Sequence, residues 1–440
     1  MAPAPPAPDW DAVFDEAVDI LCRFIRIDTS NPPGRERAAC DFLGDILRRE
    51  GIDYTLYDAG DDRVSLRAGL KGDGSKRPFM LLNHTDVVPV EREFWDEDPF
   101  SGLIKDGHIW GRGALDMKGL GVAQLMTFIT LKRQGIPLAR DLVFFAQADE
   151  EAGSEYGMRF IIREHPETLD AEFVINEGGG GITRLFDVER PIYAVGVSEK
   201  GPLWLRLITE GRPGHGSVPH DDNALDRLVL ALHRIQSWER PLTVSPVLGE
   251  YFARLARAGV YRGDPTPEGL REAAAHDDRI RAMLTNTISA TTIGAGMKHN
   301  VIPARAEATL DIRLLPGVDP AEFRAELERV IDDPGVRIEP VHTRSSDADP
   351  FDTELFRAIE EVIHDHIEDA VVVPSMGVGF TDSAELRNLG IVSYGFSGNL
   401  NDPELSKTVH GHNERVSLQS FRLNCRMVYD VTRKMCAAGA

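Results

Sequence analysis

Phe79-Met-Leu-Leu-Asn-His-Thr-Asp86 opens as an apolar run and passes directly into a histidine and an acid. Leu142-Val-Phe-Phe145 leads in the same way to Asp149-Glu150-Glu151, and Phe173-Val-Ile175 to Asn176-Glu177-Gly178. Short continuous apolar runs bounded by polar residues predict buried strands. In open α/β sheets, ligands bind beyond the carboxyl ends of the strands. These segments therefore aim histidine and carboxylate groups at one edge of one sheet.

The surrounding chain fits that frame. Helical spacing of Val13, Phe14, Ala17, Leu21, Phe24 and Ile25 predicts a helix over 11–27, and a second over 35–50 stops at Gly51. Strands are expected at 54–57 and 64–68, and helices at 119–133 and 158–164. Strands alternating with helices indicate a mixed or parallel α/β sheet covered on both faces. From about residue 200 the pattern changes to strand 203–208, helix 224–237, strands 287–293 and 306–314, helix 320–331 and strand 336–341. This β-α-β-β-α-β order is ferredoxin-like. A polar, helical stretch at about 249–283 interrupts it and reads as part of the inserted unit. A helix at 353–367 and a strand at 391–395 then resume the first pattern. The reading is an α/β domain over 1–199 and 344–440, split by a small inserted domain over 200–343.

At 440 residues the chain exceeds one ordinary core. A net charge of −22 argues against a nucleic-acid partner, since phosphate binding needs clustered Lys and Arg. No apolar run reaches the roughly 20 residues that span a membrane. Met1-Ala-Pro-Ala-Pro-Pro-Ala-Pro8 lacks the pattern of a signal peptide and reads as a disordered arm, so a cytoplasmic location is expected. Cys22, Cys40, Cys425 and Cys436 form no CxxC pair and read as reduced thiols. Any metal must then be held by His, Asp and Glu.

Taken singly, each candidate has a plain alternative. His84-Thr-Asp86 could be a surface pair, although a carboxylate two residues along a strand lies on the same side and could hold the second ring nitrogen of a metal-bound imidazole. Glu150-Glu151 could be solvated, although adjacent acids after a strand face opposite ways, leaving one free of metal. Asp116, in Gly111-Arg-Gly-Ala-Leu-Asp-Met-Lys-Gly119, could cap a helix. Glu177 could be a turn acid, and either His410 or His412 in Val409-His-Gly-His-Asn-Glu-Arg415 could be a surface residue. Their joint placement on successive strand ends favours a metal site.

The sequence resembles the M20 metallopeptidases, the group of aminoacylases, carboxypeptidases, acetylornithine deacetylase and succinyl-diaminopimelate desuccinylase. Asn83-His-Thr-Asp-Val-Val-Pro89, Trp110-Gly-Arg-Gly-Ala-Leu-Asp-Met-Lys-Gly119 and Ala148-Asp-Glu-Glu-Ala-Gly153 carry the resemblance in order. It implies a zinc-exopeptidase-like catalytic domain with a lid and dimerisation insert, and two Zn2+, with Co2+ or Mn2+ as alternatives. Asp116 would bridge the metals, His84 and Glu177 would complete one site, and Glu151 and His410 the other. His410 is preferred over His412 because its spacing to Glu414 matches the family's His-x-x-x-Glu-Arg pattern. The peptide after Asp116 is expected to be cis. Glu150 would be the general base and Asp86 would orient His84. His215 in Gly214-His-Gly-Ser217 and Asn300 in Lys298-His-Asn-Val-Ile-Pro303 resemble lid groups that act on the substrate carbonyl, His215 from a second subunit. Arg313 resembles a residue that holds a substrate carboxylate, with a lid salt bridge as its structural alternative.

The implied reaction is hydrolysis of the amide bond of an N-acyl amino acid or small peptide by a metal-bound hydroxide. A homodimer through the lid is the implied assembly. A two-metal dipeptidase or aminopeptidase is the second reading, and a non-catalytic binding protein the third; the complete set of ligands and base weighs against the third.

Overall fold

The computed structural model describes residues 7–439. Residues 1–6 of the expected N-terminal arm lie outside the described residues.

The main body is a ten-stranded mixed sheet. Its centre is parallel: Phe79–His84 lies between Leu142–Gln147 and Phe173–Asn176, and Phe173–Asn176 pairs in turn with Val392–Gly395. Both Phe79–His84 and Leu142–Gln147 are buried at every position. Alternation sends successive side chains to opposite faces. Phe79, Leu81, Phe144 and Ile175 join one core with the helices Trp10–Ile25, Lys118–Arg133 and Leu418–Cys436, while Met80, Leu82, Phe145 and Val174 join another beneath Met158–Glu164 and Ser383–Asn388. Burial on both faces is why these strands read as unbroken apolar runs. The first of them extends past the expected Leu82 to His84, because its ladder continues through Asn83↔Ala146 and His84↔Gln147.

The inserted unit is a four-stranded antiparallel sheet in the order Thr287–Ala295, Arg305–Leu314, Gly201–Glu210, Val336–Thr343. This is the strand order of a ferredoxin-like unit. Helices Ala224–Ser237 and Pro320–Ile331 close its core through Leu228, Ala231, Phe323 and Leu327.

One expectation is corrected. The stretch at 249–283 does not pack in the lid. It forms helices Pro246–Arg257, Pro267–Ala273 and Asp278–Leu284, whose Leu248, Phe252, Leu255, Leu270 and Leu284 belong to the core of the large sheet. Arg254 donates to the carbonyl of Val372 at 3.1 Å, fixing the first helix to strand Val371–Gly377. An apolar stripe demands a partner surface without saying which. Here the large sheet supplies it.

Candidate metal centre

The strand ends converge as their sequences anticipate. His84 closes its strand; Glu150 and Glu151 lie in the 3-10 turn Glu150–Ala152 just beyond Leu142–Gln147; Glu177 follows Phe173–Asn176 directly. Asp116 precedes helix Lys118–Arg133, and its peptide bond to Met117 is cis. His84 Nε2 lies 3.3 Å from Asp116 Oδ1 and 3.5 Å from Glu177 Oε1. His410 Nε2 lies 3.0 Å from Asp116 Oδ2 and 3.2 Å from Glu151 Oε2. Asp116 thus offers one oxygen to the cluster with His84 and Glu177 and the other to the cluster with Glu151 and His410. Within each cluster the donor atoms lie within 4.8 Å of one another. His412 points elsewhere, to Glu91 at 3.0 Å.

A second layer holds these groups. Asp86 is fully buried and accepts the backbone N–H groups of Glu150 at 3.2 Å and Glu151 at 3.1 Å. His84 Nδ1 lies 2.9 Å from the backbone carbonyl of Asp86, closer than the 3.5 Å to its carboxylate. The Asn31 amide donates to Asp86 at 2.8 Å and to Asp149 at 2.9 Å, and Arg63 joins Asp149 to Glu36. Glu414 accepts the N–H groups of Gly113, Leu115 and Asp116 and pairs with Arg112 at 2.6 Å. Arg112 also donates to the carbonyl of Gly411 at 2.9 Å. Asn31, Arg63 and Arg112 carry no sequence signal of this role, because each acts on a partner far along the chain.

The electrostatics are those of crowded carboxylates. Burial, reinforced by Asp116, pushes Glu177 up to about 8 against the opposing charge of His84. Burial and then the Glu177 charge hold Glu150 well above the usual carboxylate range. Burial and Asp116 raise Glu151. Burial alone would raise Asp116 too, but hydrogen bonds from His410 and His84 outweigh it and hold the group low. Hydrogen bonds to Asp116 and then Glu151 raise His410 to about 10. Glu151 Oε1 is buried without a hydrogen-bond partner. Concentrated buried acid with an unpaired oxygen fits divalent cations, and imidazole with carboxylate is a zinc-type donor set.

These groups line a 540 Å³ cavity that continues past Trp204 and Phe380. Arg313 lines the same cavity. Its guanidinium pairs with Asp311 at 2.7 Å and stands 5.5 Å from the ring centres of both Trp204 and Phe380. His215 and Asn300 do not line it. His215 is exposed in a two-residue ribbon where it pairs with Val301, and the Asn300 carbonyl accepts the N–H of Gly216 at 2.9 Å. The structure thus places these two next to each other and outside the cavity lined by Asp116, Glu151, Glu177 and His410. No residue of 246–284 lines the cavity.

Comparison with known proteins agrees with this geometry. Mouse aminoacylase-1 is 28% identical over 92% of this chain and 91% of its own length. Human N-fatty-acyl-amino acid synthase/hydrolase PM20D1 is 28% identical over 82% of this chain and 74% of its own. The M20 family metallo-carboxypeptidase of Sulfolobus solfataricus shares the fold with a TM-score of 0.76 at 20% identity, covering 96% of this chain and 99% of the other. Residues 80–434 match peptidase family M20/M25/M40, and the chain belongs to that family of metal-dependent hydrolytic enzymes.

Proposed function

We propose that this enzyme hydrolyses the amide bond of an N-acyl amino acid or small peptide and releases a free amino acid. The observation that carries the reading is the Asp116 carboxylate, shared between His84 with Glu177 and Glu151 with His410. Two Zn2+, or Co2+ or Mn2+, would be held there. When bound, such cations supply Lewis acidity toward water and the amide carbonyl.

The chain's own residues do the rest. Glu150 takes the proton of the attacking water and delivers it to the departing nitrogen. Asp86 fixes the Glu150–Glu151 turn by accepting both N–H groups and keeps His84 oriented. Arg313 receives the substrate carboxylate, exchanging its bond to Asp311 for it. His215, with Asn300 beside it, completes the site of a second subunit by donating to the developing oxyanion. Its exposure outside its own chain's cavity supports a role in trans.

A homodimer through the lid is supported by the uncharged edge strand Thr287–Ala295, exposed along most of its length, and by exposed Val229 and Leu230 on lid helix Ala224–Ser237. The catalytic unit is taken as 1–199 with 344–440, joined by the helices of 246–284; the remainder of 200–343 is the lid. Among the described residues, no helix is long and apolar enough to cross a membrane. The four buried free thiols fit a reducing compartment such as the cytoplasm.

The test is a panel of N-acyl amino acids and dipeptides, scored by amino-acid release with Zn2+ or Co2+ supplied. Release from at least one class is expected. Metal-loaded protein that releases nothing from any of them overturns the reading.

A further inference from the structure

Two of the segments by which the chain passes between the lid and the catalytic unit are Glu199-Lys200-Gly201 and Thr343-Arg344-Ser345. Arg344 follows lid strand Val336–Thr343 directly, and its N–H donates to the carbonyl of Pro202 at 2.9 Å, tying the crossings together. Its side chain is 1% exposed and reaches into the catalytic unit. Nη2 donates to the carbonyl of Gly153 at 2.9 Å, Nη1 to that of Thr381 at 3.2 Å, and Nε lies 3.2 Å from Glu385. The guanidinium also stands 4.9 Å from the ring centre of Phe380.

Both carbonyl partners matter to the site. Gly153 ends the turn that carries Glu150 and Glu151, and its N–H donates to the carbonyl of Glu150 at 3.0 Å. Its φ of +105° suits glycine, and a Cβ there would stand 3.1 Å from the ring of His342 on the lid strand. The turn is therefore packed against the lid as well as bonded to its hinge. Thr381 and Phe380 line the cavity. The other crossing grips the same loop, since Glu199 accepts the Thr381 N–H at 3.1 Å and its hydroxyl at 3.0 Å.

We propose that Arg344 is a positioning residue that couples the angle of the lid to the placement of the Glu150–Glu151 turn and of the cavity wall at Phe380–Thr381. This rests on the catalytic reading of that turn. The planar fork bridges two carbonyls and one carboxylate at once, which a point-charge ammonium cannot reproduce. Because its Cα belongs to the hinge, lid rotation moves the fork, and buried carbonyls must follow or lose their donor. Packed interfaces of this kind change between discrete arrangements.

The test compares wild type with Arg344→Lys and Arg344→Gln, with Glu385→Gln as a control that leaves both carbonyl contacts in place. Metal-loaded Arg344→Lys is expected to lose about 10- to 100-fold in kcat, the scale of a small misplacement at a reacting centre. Its KM should stay within about threefold of wild type, and Glu385→Gln should keep kcat within the same margin. Hydrogen exchange should quicken at 149–157 and 378–382 while the central strands stay protected. Wild-type kcat in Arg344→Lys overturns the coupling, as does exchange that quickens over the whole sheet. Exchange needs no substrate, so unchanged protection at 149–157 overturns the coupling whatever becomes of the functional reading. Arg344→Gln gives the same comparison if the lysine variant does not fold.

Discussion

Glu414 holds Asp116 by its backbone: Oε1 accepts the Asp116 N–H at 3.1 Å. Glu414 comes from the loop that carries His410, so it ties the shared carboxylate to a histidine that meets it from nearly 300 residues away along the chain. Arg112 closes the tie by bonding both Glu414 and the Gly411 carbonyl.

Glu414→Gln weakens this tie without emptying the space. Outer-layer partners of metal ligands typically contribute about 10- to 100-fold in metal affinity. Calorimetric titration of metal-free protein with Zn2+ should show that loss, with the larger effect at the Glu151–His410 position. Wild-type affinity at both positions would show the loops to be held by other contacts.

Glu150→Gln should keep both metals and lose turnover. General acid–base groups contribute about 10²–10⁴ in rate. Zinc content by elemental analysis together with kcat on the best substrate decides it. A near-normal kcat removes Glu150 from the role of base.

His215→Ala should bind zinc normally and fall by about 10²–10³ in kcat, the cost of one oxyanion donor. Mixing it with Glu150→Gln under conditions of subunit exchange should restore activity, since half of the sites in a heterodimer then combine an intact Glu150 with an intact His215. No recovery would place His215 in its own chain's site or outside the mechanism.

Arg313→Ala should raise KM for substrates with a free carboxylate by about 10- to 100-fold, the worth of a charged hydrogen bond of about 1.5–3 kcal/mol. An esterified substrate should lose little. Equal losses on both would return Arg313 to its structural pairing with Asp311.

Metal removal should reverse the ordinary pH behaviour of stability. In the metal-free fold Glu177 sits at about 8 against 4.5 for the free group, so the folded state binds more protons over that window and stability falls as pH rises. His410, raised from 6.5 to about 10, acts in the same direction above neutrality. Asp116, held below 3.8, acts in the opposite direction only in stronger acid. Metal-free protein should therefore gain in Tm as pH falls from 8 to 6, while the zinc-loaded form should not. Parallel curves would mean that these acids are not clustered in solution.

Much of this was legible in residue order. Metal ligands belong to a small chemical set, and a ligand placed at the end of an apolar strand advertises itself through the strand. His84, Glu150, Glu151 and Glu177 stood out that way, whereas His410 was preferred over His412 only through the family resemblance, whose pattern its spacing to Glu414 matches. The lid's strand order followed from its periodicity. The helices of 246–284 were misplaced for a physical reason: an amphipathic stripe records that a face is buried, whereas the surface covering it depends on how the whole chain closes.

Local chemistry and periodicity are short-range properties, and so the order of residues sufficed for the ligand types, the strand ends that carry them and the two-part architecture. Convergence is a long-range property. That Asp116 meets both histidines through different oxygens, that Asn31 binds Asp86 and Asp149 together, and that Arg344 reaches Gly153 from the hinge each depend on contacts between segments distant in sequence. Such contacts are settled by the packing of the large sheet and its helices, because only the closed core sets the distances between side chains.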